Sequence, residues 1–570
     1  MKKRWELLDT DPVLVAELQQ VLGIHPVLCG LLVQRGVRDY ESGRHFFRPD
    51  LSHLHDPLLL RDMPKAVARL DQAIRKGEKI LLYGDYDVDG TTSVALMYSF
   101  LRGLHKKIDY YIPDRYREGY GLSREGLEYA RDNGVSLLIA MDCGIKAVEQ
   151  ACQARAMGLD LIICDHHLPG EQLPEAVAVL DPKRPDCPYP YKELSGCGVA
   201  FKLAQAYAQE QGYGWEILEP LFDFLVVSIA SDIVPITGEN RVIAHFGLQQ
   251  LNRTPRPGLR ALIERSGRQR PLSISDIVFG MAPVINAAGR VGDARQAVRL
   301  MLAGNRKVAA DYADSLTNHN LLRREYDRRT ATEARELLAD QDLENLRSIV
   351  LYQPHWHMGV LGIVASRIAH AFHRPTVILT LADSQIVGSV RSVQGFNIHE
   401  VIGDCRDLLI DYGGHDYAAG LSLTPSNLPA FKDRFEAIVQ HRQGSEKPVP
   451  VLPYAAELPL DEIKPKFWRV LRQFAPFGPE NENPVFLARG VRDSGYSRLL
   501  DGNHLRLGLR QGEAVFTGIA FDQGKAYPKV IKKQPFDICY TIRENLWNGV
   551  RKLQLVVKDI RFPEERTEEA

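Results

Sequence analysis

Three carboxylates stand at alternate positions in the run GDYDVDG at 84–90: Asp85, Asp87 and Asp89. That spacing can serve a cation in two ways. In a calcium loop counted from Asp85, Gly90 takes the required sixth place, but the twelfth is Leu96 where a bidentate Glu is needed. The run is also entered from a strand-like segment, KILLY, and not from a helix. The calcium-loop reading fails on both counts. The alternative is a metal site at the C-terminal ends of parallel strands, where open α/β sheets place their ligands. Two further β-rich runs end the same way, one in Asp142 and the other in Asp165, His166 and His167. A lone Asp after a strand is ordinarily a helix N-cap, but three neighbouring strand ends supplying acids and imidazoles exceed what capping needs. Carboxylates so gathered repel one another, and divalent cations remove that cost.

Asp232 ends the apolar, helix-like stretch LFDFLVVSIASD, so its charge meets the negative end of the helix dipole. A metal or an arginine would relieve that placement equally well. The set is rich in oxygen, holds one or two imidazoles and lacks thiolate, which suits manganese or magnesium better than structural zinc. Two such ions about 3.5–4 Å apart, sharing a carboxylate, are the usual apparatus of phosphodiester hydrolysis. Cys143 and Cys164 flank ligand positions, but alternation along a strand turns neighbours to opposite faces and makes them packing residues. His355, His357, His370 and His373 straddle a helix-like segment with no evident carboxylate partner, and are expected to be structural or close to the substrate.

The elements that must position these residues come from a chain of 570 residues, long enough for three or four domains. Hydrophobic residues at 45 % and charged residues at 25 % describe an ordinary globular protein, and a net charge of −1 excludes a bulk polycation. The eight cysteines include no CxxC pair, which speaks for a reducing compartment. The basic start has no apolar run behind it and no stretch reaches the roughly 18 apolar residues of a membrane span, so a cytoplasmic protein is expected. Short β-rich runs at 79–87, 107–115, 135–144, 159–167 and 176–182 alternate with helix-like stretches, which implies a parallel sheet covered on both faces. The expected architecture is therefore α/β and multidomain. A helical N-terminal segment (1–50) precedes a parallel-sheet domain (51–304) and one or two bridging helices (305–345). A second α/β domain (346–442), a linker (443–451) and an OB-like β-barrel (452–565) follow.

Local charge supports a polyanion track: residues 251–300 hold nine Arg and no Lys against three acids. In the barrel, Trp547, Tyr540 and Phe521 could stack bases beside Arg543, Arg551 and Lys552, with core packing as the competing role. No Walker A run occurs, so no nucleotide-driven translocation is expected.

GDYDVDGTTS, MDCGI, DHHLPG and IASDIVP occur in this order, and together they resemble the DHH phosphoesterase superfamily, within it the branch of single-strand-specific 5′→3′ DNA exonucleases. IPDRYREGYGLS, LSGCGVAFKL, INAAGRVGDA, HWHMGVLGIVASRI, GSVRS and GGHDYAAGLS extend the match from about residue 50 to the C-terminus. The resemblance implies a two-metal nuclease of DNA repair and recombination, using manganese or magnesium on single-stranded DNA, with a single-strand-binding protein and a helicase as candidate partners. It implies Asp85 on one ion, Asp87 on the other, Asp142 bridging both, His166 and Asp232 completing the second site, and His167 on the scissile phosphate. Asp89 and Asp165 would act behind the ligands. Ser389 and Arg391 would hold the terminal 5′-phosphate, with His415, Arg290 and Arg115 as further contacts. Gly413 and Gly414 would let the backbone approach the strand. The chain departs from the family pattern at Tyr83, where some relatives have His, at Val284, where many have Arg, and at Val390, where Gly is usual. The first departure leaves the first metal site with fewer protein ligands, the second removes one candidate phosphate contact, and the third puts a side chain where backbone would approach DNA. Two rival readings share the core: a phosphodiesterase of short oligonucleotides or cyclic dinucleotides, and a non-catalytic relative that binds single strands.

Overall fold

A computed structural model describes residues 3–339, 341–343, 345–443, 449–547 and 550–565. Its first sheet has five parallel strands in the order Ile108–Tyr111, Ile80–Gly84, Leu137–Met141, Asp160–Cys164 and Ala178–Leu180. Strands covered on both faces must be apolar throughout, and 80–84 and 137–141 are buried at every residue. Ile80, Leu82 and Ile139 face the core shared with helices Val88–Arg102, Gly196–Glu210 and Phe222–Ser231, whereas Leu81, Tyr83, Leu138 and Ala140 face Arg124–Asp132 and Val148–Ala156. Register then fixes the site. Gly84 lies opposite Met141, and Met141 opposite Cys164, so the three central strands end level. Asp85, Asp142 and Asp165 are the next residues and emerge side by side.

A buried ion pair locks the helical layer behind this sheet. Lys202 Nζ lies 2.6 Å from Glu239 Oε1, and both side chains are wholly inaccessible. Lys202 also donates to the His55 carbonyl, and Glu239 accepts from the Tyr189 hydroxyl and the His55 amide. Burial pulls the Lys202 ammonium down. Truncating one partner of such a pair strands the other charge, so Glu239→Ala is expected to cost about 3–5 kcal/mol in urea unfolding, and Glu239→Gln less.

The charged stretch forms a single helix, Arg306–Ala339. Ala309, Ala313 and Leu316 pack into the first core, and Ala331, Ala334 and Leu338 into that of the second domain, leaving the middle turns wet. The second sheet runs Asp411–His415, Ala418–Leu423, Gln385–Arg391, Thr376–Ala382 and Ile349–Tyr352, with only the last pair parallel. In the C-terminal domain, strands Phe486–Asp493, Phe536–Trp547, Val550–Arg561, Ala514–Ala520 and His504–Gln511 are successive neighbours, and the first pairs back on the last to close a barrel.

The N-terminal segment is not purely helical. Arg4–Leu7 is a strand paired in parallel with Val451–Tyr454, and the helices after it bury Leu18, Leu28, Leu31 and Leu32 in one core with Phe467, Phe474 and Phe486 of the C-terminal domain. A four-residue strand carries too little periodicity to be legible, and its partner lies more than 440 residues away. Pairing at Val451 also trims the expected linker, of which residues 444–448 lie outside the described residues. Arg241 ties the parallel-sheet domain to both: its guanidinium donates to the carbonyls of Phe46, Phe474 and Ala475 and lies over the Phe46 ring. Among the described residues no single helix is long and apolar enough to cross a membrane.

Candidate metal centre

Asp87 does cap the helix Val88–Arg102, accepting the Gly90 amide at 3.1 Å. The capping role and a ligand role therefore meet in one residue. Asp142 sits in the left-handed region at φ 60°, a conformation that Asp tolerates better than most residues and that is found at functional sites. Its side chain packs so closely on Gly196 that a Cβ there would lie 2.6 Å from the Asp142 Cβ. Asp232 is the C-cap of Phe222–Ser231, at the negative helix end as expected.

These side chains converge in three overlapping groups: Asp85, Asp87 and Asp142; Asp142, His166 and His167; and Asp89, His166 and Asp232. Within each, the donor atoms lie within 4.8 Å of one another. Asp142 and His166 each belong to two groups. His166 Nε2 stands 3.2 Å from Asp142, 3.6 Å from Asp232 and 3.8 Å from Asp89. Among the described residues, neither ring nitrogen of His166 and not Asp85 Oδ1 has a hydrogen-bond partner, although all three atoms are buried.

The electrostatics point the same way. Burial and then repulsion from neighbouring carboxylates push Asp85, Asp87, Asp142 and Asp232 up from the ordinary carboxylate range. Burial pulls His166 down, so its imidazole is neutral and able to ligate. Buried, unpartnered oxygen and nitrogen donors that repel one another fit a pair of hard divalent cations.

Two aspartates serve behind them. Asp89 accepts from the Gly196 and Cys197 amides and the Ser228 hydroxyl, anchoring the start of Gly196–Glu210 beneath the site. Asp165 lies 2.7 Å from His167 Nδ1 and also accepts the Ile145 and His166 amides. Burial would raise Asp165, but the His167 contact and these amides hold it at about 2.

Facing the carboxylates across a cleft of 730 Å³ are Arg115, Arg290, Ser389, Arg391 and His415. Arg391 donates to the Ser389 hydroxyl at 2.9 Å, and the Arg115 guanidinium lies 4.8 Å from the Tyr86 ring centre. Arg290 donates to the Gly359 carbonyl and accepts the Tyr116 hydroxyl on its own carbonyl. Burial, then the charge of Arg115, pulls Arg290 to about 10 and Arg391 down as well. Three guanidiniums that repel one another can be satisfied by an anion bound between them. His415 also lines the cleft, and its imidazole is lowered by burial and then by Lys146 and His167.

Several expectations change. Tyr83 faces away from the centre: its hydroxyl donates to the Gly121 carbonyl and its ring stacks on Tyr111. Val390 points into the core of the second domain while Ser389 and Arg391 share the opposite face, so its side chain does not narrow the cleft. Val284 is half-buried against the first core. Gly414 lets its own hairpin close, since a Cβ there would lie 2.3 Å from the Ala418 carbonyl oxygen. His355 does have a carboxylate partner, Glu333 at 3.0 Å.

The arginine run is not one track either. Arg256 is spent on buried Asp223, Arg265 on Asp314, Arg268 on Asp276 and Arg295 on Asp293. Two of those partners lie outside the 251–300 window, which a local count cannot see. Tyr540 is core, donating to the Leu458 carbonyl, whereas Phe521 is exposed. The Trp547 side chain lies outside the described residues. Sequence reasoning missed Tyr120, whose hydroxyl is 3.1 Å from His167 Nδ1, although it stands inside IPDRYREGYGLS.

Residues 79–229 match the DHH family, N-terminal domain, 345–441 the DHHA1 domain and 454–559 the RecJ OB domain. The single-stranded-DNA-specific exonuclease RecJ of Bacillus subtilis is 35 % identical over 98 % of this chain and 71 % of its own length. That of Salmonella typhimurium is 33 % identical over 98 % and 100 %. The crystal structure of Thermus thermophilus RecJ with Mn²⁺ superposes with a TM-score of 0.85 at 30 % identity, covering 98 % of this chain and 80 % of that one. The same protein with Mg²⁺ gives 0.79 at 29 % identity, covering 98 % and 78 %. Identity above 30 % along nearly the whole chain, with three matched domains in order, places this chain in the RecJ family of single-stranded-DNA-specific exonucleases.

Proposed function

We propose that this chain hydrolyses single-stranded DNA from its 5′ end to mononucleotides. The observation that carries the reading is the pairing of two walls in one cleft: Asp85 and Asp87, the edge of the donor cluster that also holds Asp142 and His166, on one, and Arg115, Arg290, Ser389 and Arg391 on the other. Asp85 would serve one ion and Asp87 the other, with Asp142 common to both and His166 and Asp232 completing the second site. Mn²⁺ or Mg²⁺ bound there supplies a water acidified for attack and neutralises charge on the scissile phosphate.

The remaining work falls to the chain. Asp165 is ionised and accepts only, so His167 must donate to it from Nδ1; that contact raises His167 against the effect of burial, and the imidazolium would then have an Nε2–H to give to a phosphate oxygen. Arg391, Ser389 and Arg290 would hold the terminal 5′-phosphate, and the fixed gap from them to the acids would set the length of the released piece. A cleft of 730 Å³ is the size of a small-molecule site, which suits one strand end. Exposed Phe521, edge-on to His504, and Arg543 offer the barrel's contacts for the strand behind. With no Walker A run, the unpaired strand must be supplied by other proteins, for which a helicase and a single-strand-binding protein are the candidates.

The test is product release from a 5′-labelled strand with Mn²⁺, beside a 3′-labelled copy and a duplex. Labelled mononucleotide appearing at once from the 5′-labelled strand alone, and its loss on chelation, is the expected result. Binding without hydrolysis would sink the reading in favour of a non-catalytic role.

A further inference from the structure

The arginines of the cleft do not stop at the cleft. A second groove of 710 Å³ opens along the connecting helix, lined by Arg323, Arg324, Arg328 and Arg367 with Glu325, Asp327 and Ile363. Four guanidiniums face two carboxylates there, and one of those is already spent: Asp327 pairs with Arg367 at 2.8 Å. Arg324 and Arg328 stand one turn apart on the exposed side of Arg306–Ala339. The two spaces share a wall. In the helix Leu361–Phe372, Gly362 lines the cleft so closely that a Cβ on it would lie 2.8 Å from Arg391 Nη2, whereas Ile363 and Arg367 line the groove. Their fields also overlap, since Arg323 and Arg391 both help to lower Arg290.

We propose that this groove is a second anion site, adjoining the pocket at Ser389 and Arg391, and that it takes the further phosphates of an oligophosphate lying beyond the terminal 5′-phosphate. The inference rests on the placement of that 5′-phosphate made above. Gly362 packs on Arg391 and the next residue, Ile363, lines the groove, so the groove begins one residue along the helix from the 5′-phosphate pocket. A net charge of +2 within it, beside the guanidiniums of the cleft, is complementary to a phosphoanhydride chain and unsuited to a neutral sugar or base. Two sources supply that chemistry: a 5′-triphosphorylated strand and a free oligophosphate.

The test compares KM for strands bearing 5′-hydroxyl, 5′-monophosphate and 5′-triphosphate, in the wild type and in an Arg324→Gln/Arg328→Gln variant, with Mn²⁺ held in excess. The expected result is a KM about fivefold or more lower for triphosphate than for monophosphate in the wild type. The variant should lose that gain while keeping its KM for the monophosphate strand. A parallel arm adds tripolyphosphate as competitor against the monophosphate strand. Inhibition in the wild type but not in the variant assigns the groove to free oligophosphate, and a gain without inhibition assigns it to strand ends. Equal KM for mono- and triphosphate with no inhibition by tripolyphosphate overturns the inference, as does a gain or an inhibition that survives in the variant. Equal KM for hydroxyl and monophosphate strands would instead defeat the 5′-phosphate pocket, and the tripolyphosphate arm would still read the groove by itself.

Discussion

Asp142→Asn is expected to lower strand hydrolysis by roughly a thousandfold or more while leaving the fold intact. Asp142 is common to two of the three donor groups, so under the proposed ligand set its loss would take a ligand from both ions at once. Asp165, which would orient His167 and accepts the backbone amide of His166, should cost only about 10–100-fold as Asn, the range usual for carboxylates that orient a functional histidine. Stability separates this loss from simple damage. Asp142 is buried among repelling carboxylates, so neutralising it should leave the metal-free melting temperature unchanged or raise it. Wild-type protein should gain about 2.7 kcal/mol at a Mn²⁺ concentration of 100 Kd, and the variant much less. Circular dichroism melts with and without Mn²⁺, beside rates on a 5′-labelled strand, read both quantities. A variant that hydrolyses normally would refute the shared-ligand role.

The second large effect is expected at Arg391. Replacing it with Ala removes a half-buried guanidinium that already holds Ser389 in place and faces Arg115. Hydrogen bonds between charged groups contribute about 1.5–3 kcal/mol, and each 1.4 kcal/mol is tenfold, so KM for a 5′-phosphorylated strand should rise roughly 10- to 100-fold. A 5′-hydroxyl strand should be almost unaffected, because it offers nothing to that guanidinium. Arg391→Lys keeps the charge but not the planar fork and should fall between the two. If both strands lose affinity equally in Arg391→Ala, the residue is a general DNA contact and not a reader of the terminus.

Much of this centre is legible in the sequence because strand ends are. Apolar runs followed at once by Asp85, Asp142 and Asp165 declare both a parallel sheet and the edge at which its ligands gather. Asp232 was legible as an anomaly, a carboxylate at the wrong end of an apolar helix, and the structure brings it to 3.6 Å from His166. Side-chain direction was less accessible. Tyr83 and Val390 looked like departures within functional motifs, yet both turn into cores, because a strand sends neighbouring residues to opposite faces and which face is which depends on what packs there. Tyr540 follows the same rule and fills the barrel interior.

The sequence by itself determined the composition of the centre: which residue types, in which order, at the ends of which strands. The tertiary structure alone decided what stands opposite. Arg391 reaches the cleft only because the helix Arg306–Ala339 carries the second domain back over the first sheet, and Arg256 and Arg265 leave the substrate surface only because Asp223 and Asp314 fold against them. Local patterns follow from bonds and dihedral angles within a few residues. Charge partners and facing walls are instead set by contacts between residues far apart in the chain, which form only once the domains have packed.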